Sequence, residues 1–274
     1  MAAGGRRDLP LAPVPNPGRY CVMSLRYVLV LVLSGAAVLV LADKLRQDRD
    51  VSAVGTVDTL AGDVEAGSLD HAPSGMVPDP HVRRAQVARI RSSAGQTYLD
   101  SLFPGTDSLI RRWPDRGGRP FTVAMVEGGS PDYVSRFQAL VRDAGASWDQ
   151  QGLGFRFRFQ ADTAGADVVV RWRTNFASTE RAGQTDLLWD QLGHIRSAKI
   201  TLAIRDPGDR LFTDQALRAV AVHELGHAVG LPHSADSGDV MYPSTRTGTI
   251  SHRDRATAML LYQLTPGSLK DAEQ

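Results

Sequence analysis

The sequence has a single cysteine and almost no net charge, and each shortage excludes a class of protein. Cys21 is alone in a chain of 274 residues, so neither a disulfide framework nor a cysteine-rich metal site is expected, and stability must come from packing. The formal net charge is +1 with both signs mixed along the chain, which argues against a nucleic-acid surface or a strongly acidic partner. An apolar fraction of 42% fits one ordinary core plus a hydrophobic terminus.

Long apolar runs are also scarce, and the prominent one lies near the N-terminus. Residues 27–42 are continuously apolar or small, enough for a helix of roughly 24 Å in a hydrocarbon core of ~30 Å. Residues 23–42 therefore predict a signal-anchor, preceded by basic residues that stay in the cytoplasm. A cleaved signal peptide is the alternative, because Val40 and Ala42 are small enough for cleavage positions. Residues 1–22, rich in proline and arginine, predict a disordered cytoplasmic tail.

The rest of the chain divides into a linker and a domain. Residues 43–97 predict a linker or a pro-segment, since their first part is rich in Gly, Ala, Ser and Asp and has no sustained period. Within it, residues 81–93 predict a basic helix whose arginines form a solvated face. That face consists of Arg83, Arg84, Arg89 and Arg91. Residues 98–274 predict one globular domain.

The domain begins with strands and one amphipathic helix. Strand patterns cover residues 121–126, 155–159 and 167–172, followed by a hairpin over residues 187–189 and 195–204. Between the first two strands, apolar residues at three- and four-residue steps predict a helix that Ser130 caps and Pro131 begins. Strand, helix, strand and strand in this order imply a layered α/β domain.

One stretch late in the chain predicts a catalytic zinc site. On a helix with about 3.6 residues per turn, His223 and His227 stand on the same face, so both imidazoles can reach one ion. Glu224 is placed to hold a metal-bound water without competing for the metal. Gly230 ends the helix, because a residue without Cβ takes positive φ cheaply, and the chain can then return His233 as a third ligand. Three ligands leave one position open.

With Met241 eight residues after the third histidine, this pattern resembles the metzincin zinc peptidases. Ser234 and the Met-Tyr-Pro run at residues 241–243 are similar to the matrixin branch, the matrix-metalloproteinase relatives. The resemblance implies that Met241 forms the turn beneath the zinc. It also implies an α/β (α+β) catalytic domain over residues 98–274, with a twisted, mixed five-stranded sheet, a zinc-binding helix, the methionine turn and a C-terminal helix.

The same resemblance implies a zinc-dependent endopeptidase. The three histidines would hold one catalytic Zn²⁺, and a zinc-activated water would hydrolyse the peptide bond with Glu224 as general base. The edge strand near residues 187–189 is expected to align an extended peptide substrate. Pro243 and Thr245 are expected to contribute to the primed-side substrate pocket. Thr245 stands where matrixins have a tyrosine, so we expect a roomier or more polar pocket.

Other metal sites have less support. Matrixins usually carry a second, structural zinc built from several histidines, but between Trp172 and His223 this chain has only His194. A structural zinc is therefore not expected. A Ca²⁺ site using Asp206 or Asp209 has no further support in the sequence.

Partners and location follow from these segments. The expected partners are a peptide or protein substrate and the membrane, which the N-terminal helix would span once with the domain outside the cytoplasm; secretion is the alternative. A monomer is expected, and nucleic acid is not. A different class of protein also fits the zinc pattern, namely a catalytically inert, zinc-stabilised binding module at the cell surface. In a third alternative, activity is confined to one self-derived segment, such as an inhibitory strand within residues 81–110.

Overall fold

The structure is a computed structural model that describes residues 78–104, 108–176, 181–245 and 247–270. The predicted tail and signal-anchor, residues 1–22 and 23–42, lie outside these residues, as does most of the predicted linker. Within the described ranges, no helix is both long and apolar enough to cross a membrane. The division of the chain into tail, anchor, linker and domain stays a prediction.

A mixed five-stranded sheet occupies the centre of the domain. Its strands are β2 (Phe121–Met125), β3 (Phe157–Gln160), β4 (Val168–Arg173), β5 (Gly183–Trp189) and β6 (Ile195–Ala203). They lie in the order β3-β2-β4-β6-β5, and all are parallel except β5, which is antiparallel to β6 at one edge. A separate antiparallel pair joins β1 (Leu109–Ile110) to β7 (Gly267–Ser268). The predicted α/β fold, its strands and its hairpin are confirmed.

The described residues also form four α-helices. They are α1 (Pro80–Ser92), α2 (Arg136–Asp149), α3 (Asp214–Ala228) and α4 (His252–Leu261), and a short 3₁₀ helix covers Leu99–Leu102. α2 buries the predicted apolar face, including Phe137, Val141 and Ala144. At its end, the Trp148 indole N–H donates to the Val222 carbonyl of α3 at 2.9 Å, which fixes the two helices against each other. α4 begins with a capping box formed by Ser251 and Asp254.

The predicted start of α2 is wrong. The helix begins at Arg136 rather than after Ser130, because the intervening residues form turns. The Ser130 hydroxyl bonds the Asp132 amide at 3.3 Å and the Thr174 hydroxyl at 3.1 Å instead of capping a helix. Both carboxylate oxygens of Asp132 also accept from Arg205, at 2.7 and 2.9 Å, and this fork holds the segment in its turn.

α1 forms as predicted, but its arginines do not all face solvent. Arg84, Arg89 and Arg91 are exposed, whereas Arg83 is buried. Arg83 lies on the same side of the helix as Gln86 and the fully buried Ile90, so that side packs on the domain core. The expectation of a solvated face is therefore wrong for Arg83.

Candidate metal centre

α3 positions the first two histidines. It begins after Thr213, whose side-chain oxygen accepts from the Ala216 amide at 3.2 Å. It ends at Ala228, and Gly230 follows with φ of 101°, as expected for a glycine that stops a helix. A Cβ at Gly230 would lie 2.5 Å from the Arg111 carbonyl oxygen, so this close passage of two backbones requires glycine.

The turn after Gly230 returns His233 to the other two histidines. A possible ligand atom from each of His223, His227 and His233 lies within 4.8 Å of the others. His223 Nδ1 is 2.7 Å from the Val240 carbonyl oxygen, and His227 Nδ1 is 2.8 Å from that of Leu231. A carbonyl can only accept, so each Nδ1 carries the proton and each Nε2 keeps a lone pair. The two rings on α3 are thus held with the Nε2 lone pair available to a metal ion.

Burial keeps these imidazoles neutral. It lowers the pKa of His227 to about 4, and burial followed by the neighbouring His227 lowers the pKa of His233 to about 3. The pKa of His223 is lowered well below 6.5, first by burial and then by the other two rings. Neutral imidazole is the form that binds a metal. His223 Nε2 is buried without a hydrogen-bond partner, and its lone pair could coordinate a zinc ion, so the site fits the metal that the sequence predicts.

Glu224 lies beside the first histidine and is fully buried. One carboxylate oxygen, Oε2, accepts from the Thr185 hydroxyl at 2.6 Å, while Oε1 is buried without a partner. Burial raises the pKa of Glu224 to about 8, against the opposing hydrogen bond from Thr185. A cation at the histidines would act in the opposite direction, because nearby positive charge favours the carboxylate. The carboxyl group thus has one fixed oxygen and one free oxygen.

Met241 lies against the middle of α3. A Cβ on Gly226, which stands between the two helical histidines, would be only 2.4 Å from the Met241 sulfur, so the glycine admits the methionine. Asp254 holds the turn at Met241, because its carboxylate accepts from the Val240 amide at 2.8 Å and from the Met241 amide at 3.4 Å. The turn that contacts α3 therefore also carries the carbonyl that orients His223.

Comparison with known proteins agrees with this geometry. The family model described as Matrixin matches residues 125–263, slightly more than half of the chain. The chain belongs to the matrixin family. A 56-residue stretch is 41% identical to "Matrilysin" of Felis catus, covering 20% of this chain and 18% of that protein. A 39-residue stretch is 51% identical to "Interstitial collagenase" of Aquarana catesbeiana, covering 14% of this chain and 10% of that protein. The matched stretches thus span less than a fifth of either relative.

Membership in the matrixin family agrees with the zinc prediction and suggests a metalloendopeptidase. Matrixins bind zinc and are typically extracellular or secreted. In the described part of this matrixin, the one set of three or more possible metal ligands brought together is that of His223, His227 and His233. His194 lies instead at the hairpin turn, with Nδ1 3.6 Å from Asp190.

The two candidate calcium ligands are held by arginines. Asp206 is buried and pairs with Arg210, whose guanidinium lies 2.8 Å from its carboxylate. It also accepts from the Arg210 backbone amide at 2.9 Å. Asp209 Oδ1 is 3.8 Å from Arg205.

The candidate pocket residues follow the methionine turn. Pro243 is partly buried, and Thr245 is fully buried, with its hydroxyl 3.2 Å from the Thr247 carbonyl oxygen.

Two contacts of the site were not predicted from the sequence, namely those of Thr185 with Glu224 and of Asp254 with the methionine turn. The inward position of Thr185 was accessible from the alternation of β5, in which Gly183, Thr185 and Leu187 face the same way. Its partner was not accessible, because 39 residues separate Thr185 from Glu224.

Proposed function

We propose that this matrixin is a zinc-dependent endopeptidase with His223, His227 and His233 as metal ligands and Glu224 as general base. The observation that carries the proposal is the pairing of three neutral, converging imidazoles with a buried carboxyl group that has one free oxygen. A structural zinc site does not need such an acid, because its fourth coordination position is normally occupied by a protein ligand. The inert binding module is therefore the less favoured alternative.

The chain's own residues divide the chemistry among them. When bound, zinc supplies a Lewis acid that lowers the pKa of a coordinated water and polarises a carbonyl group. Glu224 Oε1 accepts a proton from the attacking water as the new C–O bond forms. When the C–N bond breaks, the same oxygen returns that proton to the departing nitrogen. Burial of Glu224 keeps bulk water from competing for this proton.

The edge of the sheet offers a place for the substrate backbone. Among the described residues, β5 pairs with β6 alone, so its outer N–H and C=O groups are available to an extended peptide. β5 also contributes Thr185 to the site, so a peptide along its outer edge would pass close to Glu224. We propose that protein substrates bind here as an added strand. We also propose that the enzyme is a monomer.

We further propose that Pro243 and Thr245 belong to the primed-side pocket and set its size. A tyrosine at position 245, the residue that matrixins have there, would place a larger side chain at this pocket. Thr245→Tyr should therefore shift residue preference on the primed side of the cut. Sequencing of the cut sites in a peptide library would measure this, and an unchanged profile would contradict the role of Thr245.

For the N-terminal part we propose a single membrane anchor at residues 23–42, with the catalytic domain outside the cytoplasm. The support is the apolar run and the basic residues before it. Protease added to intact cells should remove the domain while a cytosolic control survives. If the mature chain instead begins near residue 43, the domain is secreted and the anchor is wrong.

The central experiment separates base from ligand. Full chain loaded with zinc is assayed against a peptide library, and Glu224→Ala is compared with His227→Ala. General-base help is worth about a hundredfold to ten-thousandfold, so Glu224→Ala should lose measurable cleavage and keep its zinc. His227→Ala should lose both. Glu127→Ala, at an exposed glutamate, is the matched control and should match wild type. Wild-type protein that holds one zinc and cleaves nothing would support the binding module instead.

A further inference from the structure

The inner face of β5 lies directly against the carboxyl group of Glu224. Thr185 is buried there, and its hydroxyl lies 2.6 Å from Glu224 Oε2 and 3.1 Å from the Glu224 backbone carbonyl oxygen. Two residues earlier on the same face, Gly183 has no side chain where one would collide: a Cβ would lie 2.3 Å from Glu224 Oε1 and 2.7 Å from Val220. β5 thus contacts both carboxylate oxygens of Glu224: Thr185 donates a hydrogen bond to Oε2, and Gly183 leaves space for Oε1.

We infer that Gly183 and Thr185 are positioning residues for the general base, with Thr185 fixing Oε2 and Gly183 leaving room for Oε1. The inference rests on the proposed function, because it assigns these residues to the reaction of Glu224. The hydroxyl has one hydrogen, and the shorter of its two contacts is the one to the carboxylate. The branched, buried threonine has few rotamers, so the bond holds its direction.

This arrangement decides which oxygen reacts. Oε2 receives the Thr185 proton, while Oε1 has no hydrogen-bond partner and accepts the proton of the attacking water. That proton then passes from Oε1 to the nitrogen of the breaking C–N bond, so Glu224 ends the cycle unchanged. Thr185 exchanges no proton in the cycle. It removes freedom from a long side chain, which is how a positioned base gains rate over a mobile one.

β5 therefore has two roles in the same reaction. Its outer edge is the proposed pairing site for the substrate, and its inner face contacts the general base, Glu224. A shift of β5 on its register with β6 would displace both together. Coupling of this kind places the edge that would pair with the substrate and the contacts that orient Glu224 on one rigid strand, which is more precise than placing them on separate loops.

The test compares Thr185→Val with Thr185→Ser in the full, zinc-loaded chain, using the library peptide that wild type cuts fastest. Valine keeps the shape and loses the hydroxyl, and serine keeps the hydroxyl. Thr185→Val should lower kcat about tenfold to a hundredfold with KM and zinc content unchanged, while Thr185→Ser stays within about threefold of wild type. Gly183→Ala should also lower kcat, because the added Cβ would lie 2.3 Å from Glu224 Oε1 and 2.7 Å from Val220.

A second measurement does not depend on activity. The shift in Tm caused by Thr185→Val is measured in the wild-type background and in a Glu224→Ala background. If the hydroxyl acts on the carboxylate, the shift is larger when Glu224 is present. Equal shifts would mean that Thr185 serves only the backbone carbonyl, and would overturn the inference.

The outcomes separate the two proposals. Active wild type with a Thr185→Val variant of equal kcat overturns the positioning role and leaves the endopeptidase intact. Wild type that binds zinc and cuts no peptide overturns the proposed function and the inference with it. A Thr185→Ser variant as slow as Thr185→Val also contradicts the inference, because it shows that the hydroxyl is not what matters.

Discussion

Glu224 and Asp254 are two fully buried acids in the same domain with opposite surroundings. Every side of Asp254 is used: its oxygens accept from the Tyr98 hydroxyl and from the amides of Val240, Met241 and Ser251, at 2.8, 2.8, 3.4 and 2.8 Å. Glu224 has one donor at its carboxylate, Thr185, and one oxygen with none. One acid is saturated, and the other is left open.

The difference distinguishes an acid that serves the fold from one whose surroundings suit the catalytic role proposed for Glu224. A buried carboxylate with several donors stabilises the segments that supply them, here the 3₁₀ region, the methionine turn and the start of α4. A buried oxygen without a donor costs stability, and a protein keeps such a cost where function needs it. Two buried acids, Asp254 and Glu224, therefore have different roles. Substitution of each should have a different effect on stability.

The largest effect on stability is expected from Asp254→Ala. The change leaves buried donors from three parts of the chain without an acceptor and also removes the α4 capping box. We expect the free energy of unfolding to fall by about 3–5 kcal/mol, measured by urea denaturation. Asp214→Ala, which removes an exposed partner of Arg136, is the control and should cost less than about 1 kcal/mol. A cost for Asp254 as small as that of the control would break the comparison.

The next effect tests a single donor to Asp254. Tyr98→Phe removes one hydroxyl from a fully enclosed contact, at 2.8 Å. A hydrogen bond to a charged group is worth about 1.5–3 kcal/mol, so the free energy of unfolding should fall by that amount. Tyr133→Phe is the matched control, because its hydroxyl bonds Gln138 in a partly exposed place. If the two changes cost the same, burial of the Asp254 cluster does not strengthen its bonds.

For Glu224 the sign should reverse. Glu224→Met replaces the open acid by an apolar side chain of similar volume, which needs no partner. In zinc-free protein we expect the free energy of unfolding to rise by about 1 kcal/mol, while cleavage by the zinc-loaded form is lost. Glu224→Gln keeps polar atoms in the same place and should not give this gain. A loss of stability with methionine would show that Glu224 is held for the fold after all.

The smallest effect concerns a third acid, Asp167, whose main partner is charged. Burial raises its pKa, but hydrogen bonds from Arg116 at 2.8 Å and from Thr122 outweigh burial and lower the pKa below the ordinary value of 3.8. A lowered pKa in the folded state means stability that is present near neutral pH and is lost as pH falls. The difference in unfolding free energy between wild type and Asp167→Asn should be below about 1 kcal/mol near neutral pH and should shrink as pH falls from about 5 to below 3.8. Arg116→Gln should remove most of this pH dependence.

Local patterns predicted much of this fold. The strands, the hairpin and the end of α3 each follow from residues within a few positions of one another, and the histidine spacing follows from helix geometry. The contacts of Glu224 and Asp254 could not be found in this way. Thr185 is 39 residues from Glu224, and Tyr98 is 156 residues from Asp254. Such pairs come into contact only when the whole sheet, α3 and α4 are in place.

The two errors have the same origin. Ser130 and Pro131 are ordinary helix-start residues, but the fork between Asp132 and Arg205, 73 residues later, stabilises a turn there. Arg83 looks like a solvent residue by its charge, yet the side of α1 that carries it packs on the core. In both cases a tertiary contact overrides a sound local preference.

The pairing of β1 with β7 has a consequence for how the protein is made. β1 comes before every strand of the five-stranded sheet and β7 comes after them all, so the pair closes a loop that contains the whole sheet. Closure of a loop of this size is slow, and it must wait until the last of these residues has left the ribosome. A nascent chain that already includes all three histidines therefore still lacks β7 and the pairing with β1 that closes this loop.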